Sequence, residues 1–438
     1  NPAVEDRSLL LEALLCAREN LIVLYSGRDI HSNEAIEPAV PVGELLETIE
    51  KSVSPPAGHS SVRDAISYAH PLQPFSPRNF QPASQSDNNL EPSFHRGHLA
   101  GAQALARGST RWKPFFDGPL TSPEQTESTT IDLQQLARFF AAPPAFLLRN
   151  RLNIQPPRDE QALKDREQAQ LDHLTNWALG NSMLQRRMRG EAQTDPRPQL
   201  QARGILQMGN LGLPAFNIAA QQTNAIVLAA TATRSGETQT LPIDISLQNA
   251  RVVGTLHDVG PQGRLHVQYG LLRPKHKIVQ WLMHLAMTAA HPDPGYETIL
   301  VGRHADKKKM DAQAIHIGPL GDEPTTRSAT ALATLQDLVA LYQSGQTLPI
   351  PFFPAASFAY AKHLFSNADQ LDQAMTKAEK KWASDDFHNK NAEDNDPANV
   401  LVYGAKCPLV QIATRQPTPF EFGPTAEAIW GPYLRVAK

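Results

Sequence analysis

The chain has 438 residues, of which 41% are hydrophobic and 19% charged, and its formal net charge is −3. This length is enough for two or three domains without disulfide support, and the near-neutral charge excludes a global attraction to nucleic acid. Any contact with nucleic acid must therefore come from local basic patches. Two widely separated cysteines, Cys16 and Cys407, argue against a disulfide framework or a zinc knuckle and indicate a reducing compartment. No apolar run reaches the roughly 18 residues that a membrane span needs.

The first 70 residues are predicted to fold as helix, strand and helix. Apolar residues recur at helical spacing over Arg7–Arg18, Leu21–Tyr25 is a short apolar run typical of a buried strand, and Val42–Val53 is a second helix. This pattern indicates the end of an α/β domain, so we interpret the chain as a fragment of a larger cytoplasmic protein. Residues 71–130 are rich in Pro, Ser, Asn and Gly and are predicted to form a connector.

The elements after residue 130 alternate between helices and strands. Ile131–Arg151 is helical but must break at Pro143, since proline ends one helix and starts the next. Ala162–Met188 and Pro214–Thr233 are predicted helices, and three short strands follow before a helix over Pro274–Ala290. The remaining predictions are a hairpin of Thr298–Val301 and Ala314–Ile317 across His304–Met310, helices at Thr330–Ser344, Asn367–Trp382 and Ala426–Tyr433, a loop at Asp385–Asp396, and a strand at Leu401–Tyr403.

The span from Pro196 to Pro292 is poor in carboxylates. It holds only Glu237, Asp244 and Asp258, although 44 acidic residues in 438 predict roughly ten for this length. The span also holds eight lysines and arginines, so it is locally positive. Helix, β-meander and helix is the layout of a metal-dependent nuclease core, which needs clustered carboxylates because Mg²⁺ prefers oxygen ligands. This core therefore predicts no metal site.

Five segments, in order along the chain, resemble the RecC family, the gamma subunit of exodeoxyribonuclease V in the RecBCD helicase–nuclease. The resemblance is carried by SLLLEALLCARENLIVLYSGRDIHSN (Ser8–Asn33), HPLQPFSPRNF (His70–Phe80), IDLQQLARFFAAPPAFLLRNRLNI (Ile131–Ile154), RPKHKIVQWLMHLAMTAA (Arg273–Ala290) and FEFGPTAEAIWGPYL (Phe420–Leu434).

The resemblance implies an α/β protein with three parts. Residues 1–70 would be the C-terminal end of an inactivated helicase-like domain, 71–130 a connector, and 131–438 a domain with the fold of a PD-(D/E)xK nuclease that lacks its metal site. The family scaffolds its complex, guides the split DNA strands and takes part in Chi recognition, while partner subunits similar to RecB and RecD carry the motors and the active nuclease. The resemblance also implies a cytoplasmic location and DNA as a partner, both as a single strand and as a fork.

The nuclease motif can be tested residue by residue. An active site needs an Asp on one strand and Asp/Glu-x-Lys on the next, where the carboxylates bind Mg²⁺ and the lysine positions the attacking water. The first Asp should fall near His257. Asp258 is one residue along, so strand alternation is predicted to turn it to the opposite face. The second strand holds His266 and Gln268 at the remaining motif positions, so these four residues are interpreted as vestigial.

A literal match to the motif exists elsewhere and defines the alternative, an active Mg²⁺-dependent exonuclease. Asp293 is followed at a permitted spacing by Asp306 and Lys308. Asp293, however, lies in the turn sequence His-Pro-Asp-Pro-Gly, and Asp306 is predicted at a hairpin tip, whereas the motif requires strand positions. No Gly-Lys dipeptide occurs, so no Walker A phosphate loop and no nucleotide cofactor are predicted.

Two basic clusters are the candidates for DNA contact. Arg273, Lys275, His276 and Lys277 surround the first turn of a predicted helix, where cations oppose the helix dipole but suit a bound phosphate. The alternatives are a solvated face or a salt bridge to a partner. The second cluster is predicted on the hairpin tip and consists of Arg303, His304, Lys307, Lys308 and Lys309. A charged hairpin tip can contact DNA, contact a neighbouring subunit or simply keep the hairpin soluble.

Overall fold

The computed structural model describes residues 2–29, 34–81, 93–108, 115–116, 118–121, 129–156, 171–191, 195–233, 236–306, 309–385, 389, 392–413 and 420–438. Its internal contacts divide the chain into two units, Asn1–Lys113 and Pro114–Lys438. The predicted division at residues 70 and 130 stays a prediction. None of the helices in the described ranges combines the length and the apolar character that a bilayer span requires.

The first unit is helical. Its helices are α1 (Pro2–Cys16), α2 (Val40–Ser52), α3 (Val62–Ile66) and α4 (Arg96–Ala106). The Nε atom of Arg7 on α1 donates to Glu44 Oε2 on α2 at 2.8 Å, which ties the two helices together. Helix α2 confirms the helix predicted from Val42. Helix α4 and a short 3₁₀ turn at Pro77–Phe80 lie in the segment predicted to be a connector, so that segment is not irregular throughout.

The prediction of a buried strand at Leu21–Tyr25 was wrong. The run forms no strand, and the side chains of Ile22 and Leu24 are 80% and 83% exposed. A strand is stable only when a neighbouring strand satisfies its backbone N–H and C=O groups. No strand among the described residues pairs with this run. Its apolar sequence alone could not reveal that.

The second unit contains one six-stranded mixed sheet. Its strands are β1 (Thr129–Asp132), β2 (Gln239–Ser246), β3 (Ala250–Gly260), β4 (Gly263–Leu271), β5 (Glu297–Arg303) and β6 (Ala312–Ile317). Strands β2, β3 and β4 form the predicted antiparallel meander, and β5 and β6 form the predicted hairpin. Strand β5 runs parallel to β4, and β1 runs parallel to β3.

One edge of β3 is shared by two strands. Strand β2 pairs with β3 over most of its length, from Arg251 to Val259. A strand has only two edges, so β1 and β4 must share the other one. Strand β1 takes residues 250–253 of that edge, and β4 takes only Val259 and Gly260 before the two strands diverge. The sheet therefore opens between β3 and β4 beyond their turn.

Twelve helices of the described residues belong to the second unit. They are α5 (Leu133–Ala141), α6 (Pro143–Arg151), α7 (His173–Met188), α8 (Arg197–Ala202), α9 (Leu213–Thr233), α10 (Pro274–Ala290), α11 (Pro324–Ser344), α12 (Pro354–Ser366), α13 (Leu371–Trp382), α14 (Pro397–Tyr403), α15 (Leu409–Ala413) and α16 (Phe422–Val436). The break at Pro143 and the bounds of α9 and α10 confirm the predictions. Residues 162–170 of the predicted Ala162–Met188 helix lie outside the described residues.

The C-terminal part of the chain differs from the prediction in two places. Leu401–Tyr403 was predicted as a strand but is the end of helix α14. Two signals start that helix: the Asp396 carboxylate accepts the N–H of Ala398 at 2.9 Å, and Pro397 is the first helical residue. Those start signals outweigh the β propensity of the short apolar run. The predicted loop Asp385–Asp396 contains a 3₁₀ turn at Glu393–Asn395 in which Asp394 is buried.

Helices cover both faces of the sheet. The main core packs α5, α10, α11 and α16 against one face, while α7 and α9 pack against the other through Leu184, Ile226, Tyr269 and Val301. Helix α10 is the most deeply placed helix, with ten buried residues. The last residues of the chain pair with β6, where His316 and Lys438 exchange two backbone hydrogen bonds of 3.0 and 2.8 Å and cover the strand's free edge.

A buried carboxylate holds α12 in place. The two carboxylate oxygens of Glu393 accept the N–H groups of Ala355 and Ala356, each at 2.8 Å, in the first turn of α12. These N–H groups have no acceptor within their own helix, so the carboxylate acts as a remote cap. Burial raises the pKa of Glu393 to about 7, against the opposite effect of the two N–H donors.

This cap predicts a pH dependence of stability. The folded pKa of Glu393 lies above its unfolded value, so the folded state binds more protons than the unfolded state between about pH 4.5 and 7. The contribution of Glu393 to folding stability is therefore fully present below that window and is lost as pH rises through 7. Glu393→Gln keeps an acceptor oxygen but cannot titrate. We expect wild-type stability to fall relative to this variant by on the order of 2 kcal/mol between pH 5 and 8 in urea unfolding. Parallel curves for the two proteins would contradict the assignment, and Glu393→Ala should be less stable than either.

Candidate functional site

A chain of hydrogen bonds joins the middle of β4 to the start of α10. Gln268 Nε2 lies 2.9 Å from His276 Nδ1 and donates to Leu271 O at 2.8 Å. His266 Nε2 lies 3.4 Å from Gln268 Oε1, which is a weak contact. The side chains of His266 and Gln268, two of the predicted vestigial positions, therefore lie on the α10 face of the sheet. All three linked side chains are half-buried.

This hydrogen-bonded chain is neutral near pH 7. Burial, with a smaller effect of Lys275, lowers the pKa of His276 to about 4. Burial also lowers the pKa of His266. When the neutral His276 ring carries its proton on Nε2, its Nδ1 accepts from Gln268 Nε2, and His266 can donate from its own Nε2 to Gln268 Oε1. The arrangement fastens strand to helix and offers no carboxylate that could bind a cation.

The opposite face of β4 is apolar where it meets α7 and α9. Leu265, Val267 and Tyr269 pack there with Leu184 and Ile226. Neither face of β4 therefore presents an acid or a lysine at the motif positions. Across the described ranges, no group of three or more His, Cys, Asp and Glu side chains is placed to hold a metal ion.

The expected alternation of His257 and Asp258 was wrong. Both side chains are exposed. The pairing of β2 with β3 shifts register at this point, and Asp258 adopts a φ of 59°, in the left-handed region that non-glycine residues rarely occupy. A bulge interrupts the simple two-residue period, so alternation cannot be extended through it. His257 Nδ1 lies 3.2 Å from Thr240 Oγ1 on β2.

The residues of the alternative nuclease motif are separated by a strand. Asp293 precedes β5 and Asp306 follows it, and seven residues at about 3.3 Å each place the two ends of β5 about 20 Å apart. The two carboxylates therefore cannot share one ion. The turn at Asp293 is held by Arg327, whose guanidinium donates to Pro292 O at 2.8 Å and Asp293 O at 3.0 Å. Lys308 lies outside the described residues.

The basic residues at the start of α10 divide into exposed and packed side chains. Arg273 and Lys275 are exposed, and no ion pair in the described ranges involves either of them. His276 belongs to the neutral hydrogen-bonded chain. Lys277, a candidate for phosphate contact, is half-buried, with Nζ 4.5 Å from the ring centre of Phe358. Burial and then the nearby Lys362 lower the pKa of Lys277 to about 8.

One residue of the second cluster, Arg303, packs against other side chains of the fold. The guanidinium of Arg303 lies over the Tyr269 ring at 5.0 Å and donates to Gln222 Oε1 at 3.3 Å, so it joins β5 to β4 and α9. Arg303, one of the candidates for DNA contact, is thus engaged by side chains of its own fold. His304 accepts at Nδ1 from Asp306 N at 3.0 Å. Lys309 is exposed, and Lys307 and Lys308 lie outside the described residues.

The topology brings the two basic segments to one end of the sheet. The parallel strands β4 and β5 end side by side, with Leu271 in register with Arg303. Arg273 and Lys275 follow the end of β4, and Lys309 lies in the connection that follows β5. The carboxyl ends of adjacent parallel strands form one edge, so these exposed cations leave the sheet from neighbouring positions. We call Arg273, Lys275 and Lys309 the basic edge.

Arg264 was missed by the sequence reasoning. It lies on β4, where desolvation by burial lowers its pKa, and its Nη1 donates to Gln280 of α10. Its buried Nε atom has no hydrogen-bond partner within the described part of the chain. Only the fold places an arginine of an otherwise ordinary strand in this position, so no local sequence signal could have found it.

The fold and these features define an α/β protein with a mixed sheet covered by helices on both faces. The chain belongs to the RecC family, since the RecC C-terminal domain matches residues 128–365. It is 29% identical over 407 residues to the RecBCD enzyme subunit RecC of Mycobacterium tuberculosis (strain CDC 1551 / Oshkosh), covering 92% of this chain and 35% of that protein.

Two further relatives bear the same description. The RecBCD enzyme subunit RecC of Mycolicibacterium smegmatis is 29% identical over 443 residues, which cover 99% of this chain and 38% of the relative. That of Escherichia coli K12 is 25% identical over 383 residues, which cover 85% of this chain and 32% of the relative. The chain thus spans about a third of the length of these relatives.

The half-buried Lys277 predicts a second pH effect. Its folded pKa lies below its unfolded value of about 10.4, so between pH 8 and about 10 the unfolded state binds a proton that the folded state has lost, and stability rises with pH in that window. We expect wild type to gain about 1–2 kcal/mol over Lys277→Met between pH 7.5 and 10 in denaturant unfolding. An equal pH dependence of the two proteins would show that Nζ is solvated. Lys380→Met, an exposed lysine on α13, is the matched control.

Proposed function

We propose that this chain is a non-catalytic part of a RecBCD-type exodeoxyribonuclease V complex, in which it scaffolds partner subunits and guides DNA during double-strand break repair and recombination. Membership of the RecC family supports the assignment to such a complex. The observation that carries the non-catalytic role is the neutral hydrogen-bonded chain of His266, Gln268 and His276, where a nuclease of this proposed fold would need a carboxylate and a lysine.

The proposal assigns a nuclease-like fold to residues 131–438. Helix α9, the meander of β2, β3 and β4, helix α10 and the parallel strand β5 follow one another in the order such a core requires. Divergence of β3 from β4 creates the place where such an enzyme holds its metal. In this chain, β4 places Leu265 and Val267 on one face and His266 and Gln268 on the other, so this strand offers no carboxylate and no lysine beside the opening.

DNA contact is assigned to the basic edge. Cationic side chains and the free N–H groups of a helix start attract phosphate, and such contacts position a protein on DNA without reading its sequence. Arg273 and Lys275 meet both conditions at the start of α10. The exposed Lys309 extends the edge along the β5–β6 connection. A single strand or a fork that passes this end of the sheet would be held by charge alone.

The remaining parts of the proposal rest on the relatives. RecC is named in them as a subunit of the RecBCD enzyme, so we propose subunits similar to RecB and RecD as partners of this chain. Residues 1–70 would be the end of an inactivated helicase-like domain, and the complex would act in the cytoplasm. The alternative, an exonuclease built on Asp293, Asp306 and Lys308, is not favoured, because β5 separates the two acids.

A nuclease assay tests the non-catalytic role. Since the motif positions hold His266 and Gln268, we expect the purified chain to leave single- and double-stranded DNA intact with Mg²⁺ or Mn²⁺ over hours. The measurement is the release of acid-soluble label from end-labelled and uniformly labelled substrates. Activity that copurifies with the chain and is abolished by Asp306→Ala or Asp293→Ala would establish the exonuclease instead.

A salt titration tests the basic edge. Each phosphate contact releases counterions, so Arg273→Ala combined with Lys275→Ala should weaken binding to all sequences alike and reduce the slope of log K against log salt by about 1.5–2. Fluorescence anisotropy with a forked oligonucleotide gives the slope. Both side chains are exposed, so circular dichroism and the melting temperature should not change.

The matched control removes two equally exposed cations elsewhere. Lys380→Ala with Lys381→Ala, at the end of α13, changes the net charge by the same amount. We expect this control to keep the wild-type slope. Equal slopes for wild type, the edge variant and the control would place the basic edge at a protein interface or in solvent and contradict the assignment.

A further inference from the structure

A cavity of about 540 Å³ lies at the end of the sheet opposite the basic edge, among the last residues of α7 and α9 and the first residues of β4 and β5. This volume falls within the range of about 300–1,000 Å³ that is usual for small-ligand sites. Strand β4 has nine residues, so its first residues lie about 25 Å from the basic edge. A ligand of this cavity therefore binds independently of the cations at the other end.

The two faces of β4 and β5 decide which side chains enter the cavity. Val267 and Ile299 pack with residues of α7 and α9, so their side chains lie on the cavity side of the sheet. Side chains alternate along a strand, so Glu297, two residues before Ile299, lies on the same side. Arg264 lies on the opposite side, where its Nη1 donates to Gln280 of α10. The guanidinium of Arg264 is therefore outside the cavity.

Two carboxylates are the charged groups of the cavity wall in the described part of the chain. Asp258 on β3 and Glu297 on β5 both line it. Arg189 stands at the rim with its side chain 68% exposed, and its Nη1 lies 3.9 Å from Glu191 Oε1, outside the lining. Burial lowers the pKa of Arg264 and the charge of Asp258 opposes that effect, so Arg264 offsets part of the negative potential from behind the strand. The interior of the cavity thus favours a cation over an anion.

The two carboxylates enter the cavity from strands on either side of β4. Gly260 pairs with Gly263, and Gly263 pairs in turn with Glu297, so β3, β4 and β5 follow one another in one row. Adjacent strands lie about 4.8 Å apart, which puts the backbones of β3 and β5 about 10 Å apart. A dication with a short methylene chain can therefore reach Asp258 with one end and Glu297 with the other, through hydrogen bonds of about 2.8 Å.

The surface between the carboxylates is aliphatic. Its apolar part consists of Met188, Leu265, Val267 and Ile299, and none of the described lining residues is aromatic. Methylene groups gain free energy by packing on such a surface. Aromatic and quaternary cations prefer the faces of aromatic rings, which this wall does not offer. The lining therefore matches a flexible aliphatic cation.

We propose that this cavity binds a linear aliphatic diamine or polyamine, with one primary ammonium group on Asp258 and another on Glu297. Each ammonium group has three N–H donors. The side chains of Gln185, Gln262 and Thr238 supply further acceptor oxygens around the wall. The methylene chain of the ligand packs on the aliphatic floor. Neither DNA nor a partner subunit enters this inference, so it stands apart from the proposed function.

The bound ligand adds a connection across the opening of the sheet. Strands β3 and β4 pair only through Val259 and Gly260 of β3 before they diverge. A diamine held by Asp258 and Glu297 joins β3 to β5 beside this short pairing. Since a ligand that binds only the folded state stabilises it, the melting temperature of the chain should rise with the concentration of the diamine.

The experiment is a titration at low ionic strength, where charges are weakly screened, followed by NMR of the methyl groups of Leu265, Val267 and Ile299. Putrescine should shift these signals saturably and raise the melting temperature. n-Pentylamine has a similar length but a single charge, so it should bind about tenfold more weakly. Magnesium chloride at matched ionic strength should leave the signals unchanged, because a compact dication cannot reach both carboxylates.

Two conservative variants each remove one charge. Glu297→Gln keeps the shape of the side chain, and Asp258→Asn introduces a residue that tolerates the φ of 59° at this position, so both variants should keep the wild-type circular dichroism. Each should weaken putrescine binding about tenfold and remove the preference for putrescine over n-pentylamine. Asp337→Asn, which removes an exposed carboxylate of α11 outside the lining, should bind putrescine as wild type does.

No saturable shift with putrescine would overturn the proposal. Equal affinity for putrescine and n-pentylamine would assign the cavity to a single ammonium group, such as a lysine side chain, and would contradict a bridging ligand. Equal weakening in Asp337→Asn and in the two cavity variants would reduce the effect to general charge attraction. The variant Arg273→Ala with Lys275→Ala should bind putrescine as wild type does, because the basic edge lies at the opposite end of β4.

Discussion

Burial of α10 is the interaction on which the second unit depends. Ile278, Trp281, Leu282, Met283, Leu285 and Met287 are all buried there, and each contributes roughly 1.5–3 kcal/mol of gross hydrophobic stabilisation. Their sum is comparable to the whole net stability of a typical domain, about 5–15 kcal/mol. The helix packs against the sheet and against α5 and α11. Its position therefore fixes where its first turn, with Arg273 and Lys275, meets solvent.

The same packing decides which polar residues remain available. His276 and Lys277 follow the exposed Lys275 directly, yet one enters a neutral hydrogen-bonded chain and the other lies on Phe358. Arg303 is held over Tyr269. The exposed cations that remain at the carboxyl end of β4 are Arg273 and Lys275, which with Lys309 form the basic edge. On this account, the sheet positions DNA contacts and performs no chemistry.

Local signals predicted much of the fold. The bounds of α10, the break at Pro143 and the β5–β6 hairpin follow from periodicity and proline, which act within a few residues. The failures needed information from distant residues. Leu21–Tyr25 has no partner strand among the described residues, the face of Asp258 depends on a bulge in its pairing with β2, and the burial of Lys277 depends on Phe358, 81 positions away. The cavity lined by residues of α7, α9, β3, β4 and β5 could not be predicted from the sequence, because those residues lie far apart along the chain.

The central claim is that the proposed nuclease-like core binds no metal, because β4 carries His266 and Gln268 where such a core needs a carboxylate and a lysine. Amide hydrogen exchange tests this claim most directly. With and without Mg²⁺, the interior of α10 should exchange only at the rate of global unfolding, because its amides are buried in the main core. Exchange in β3 and β4 should be the same in the two conditions. Slower exchange in β3 and β4 on addition of Mg²⁺ would show that the cation binds where these strands diverge, and would contradict the account.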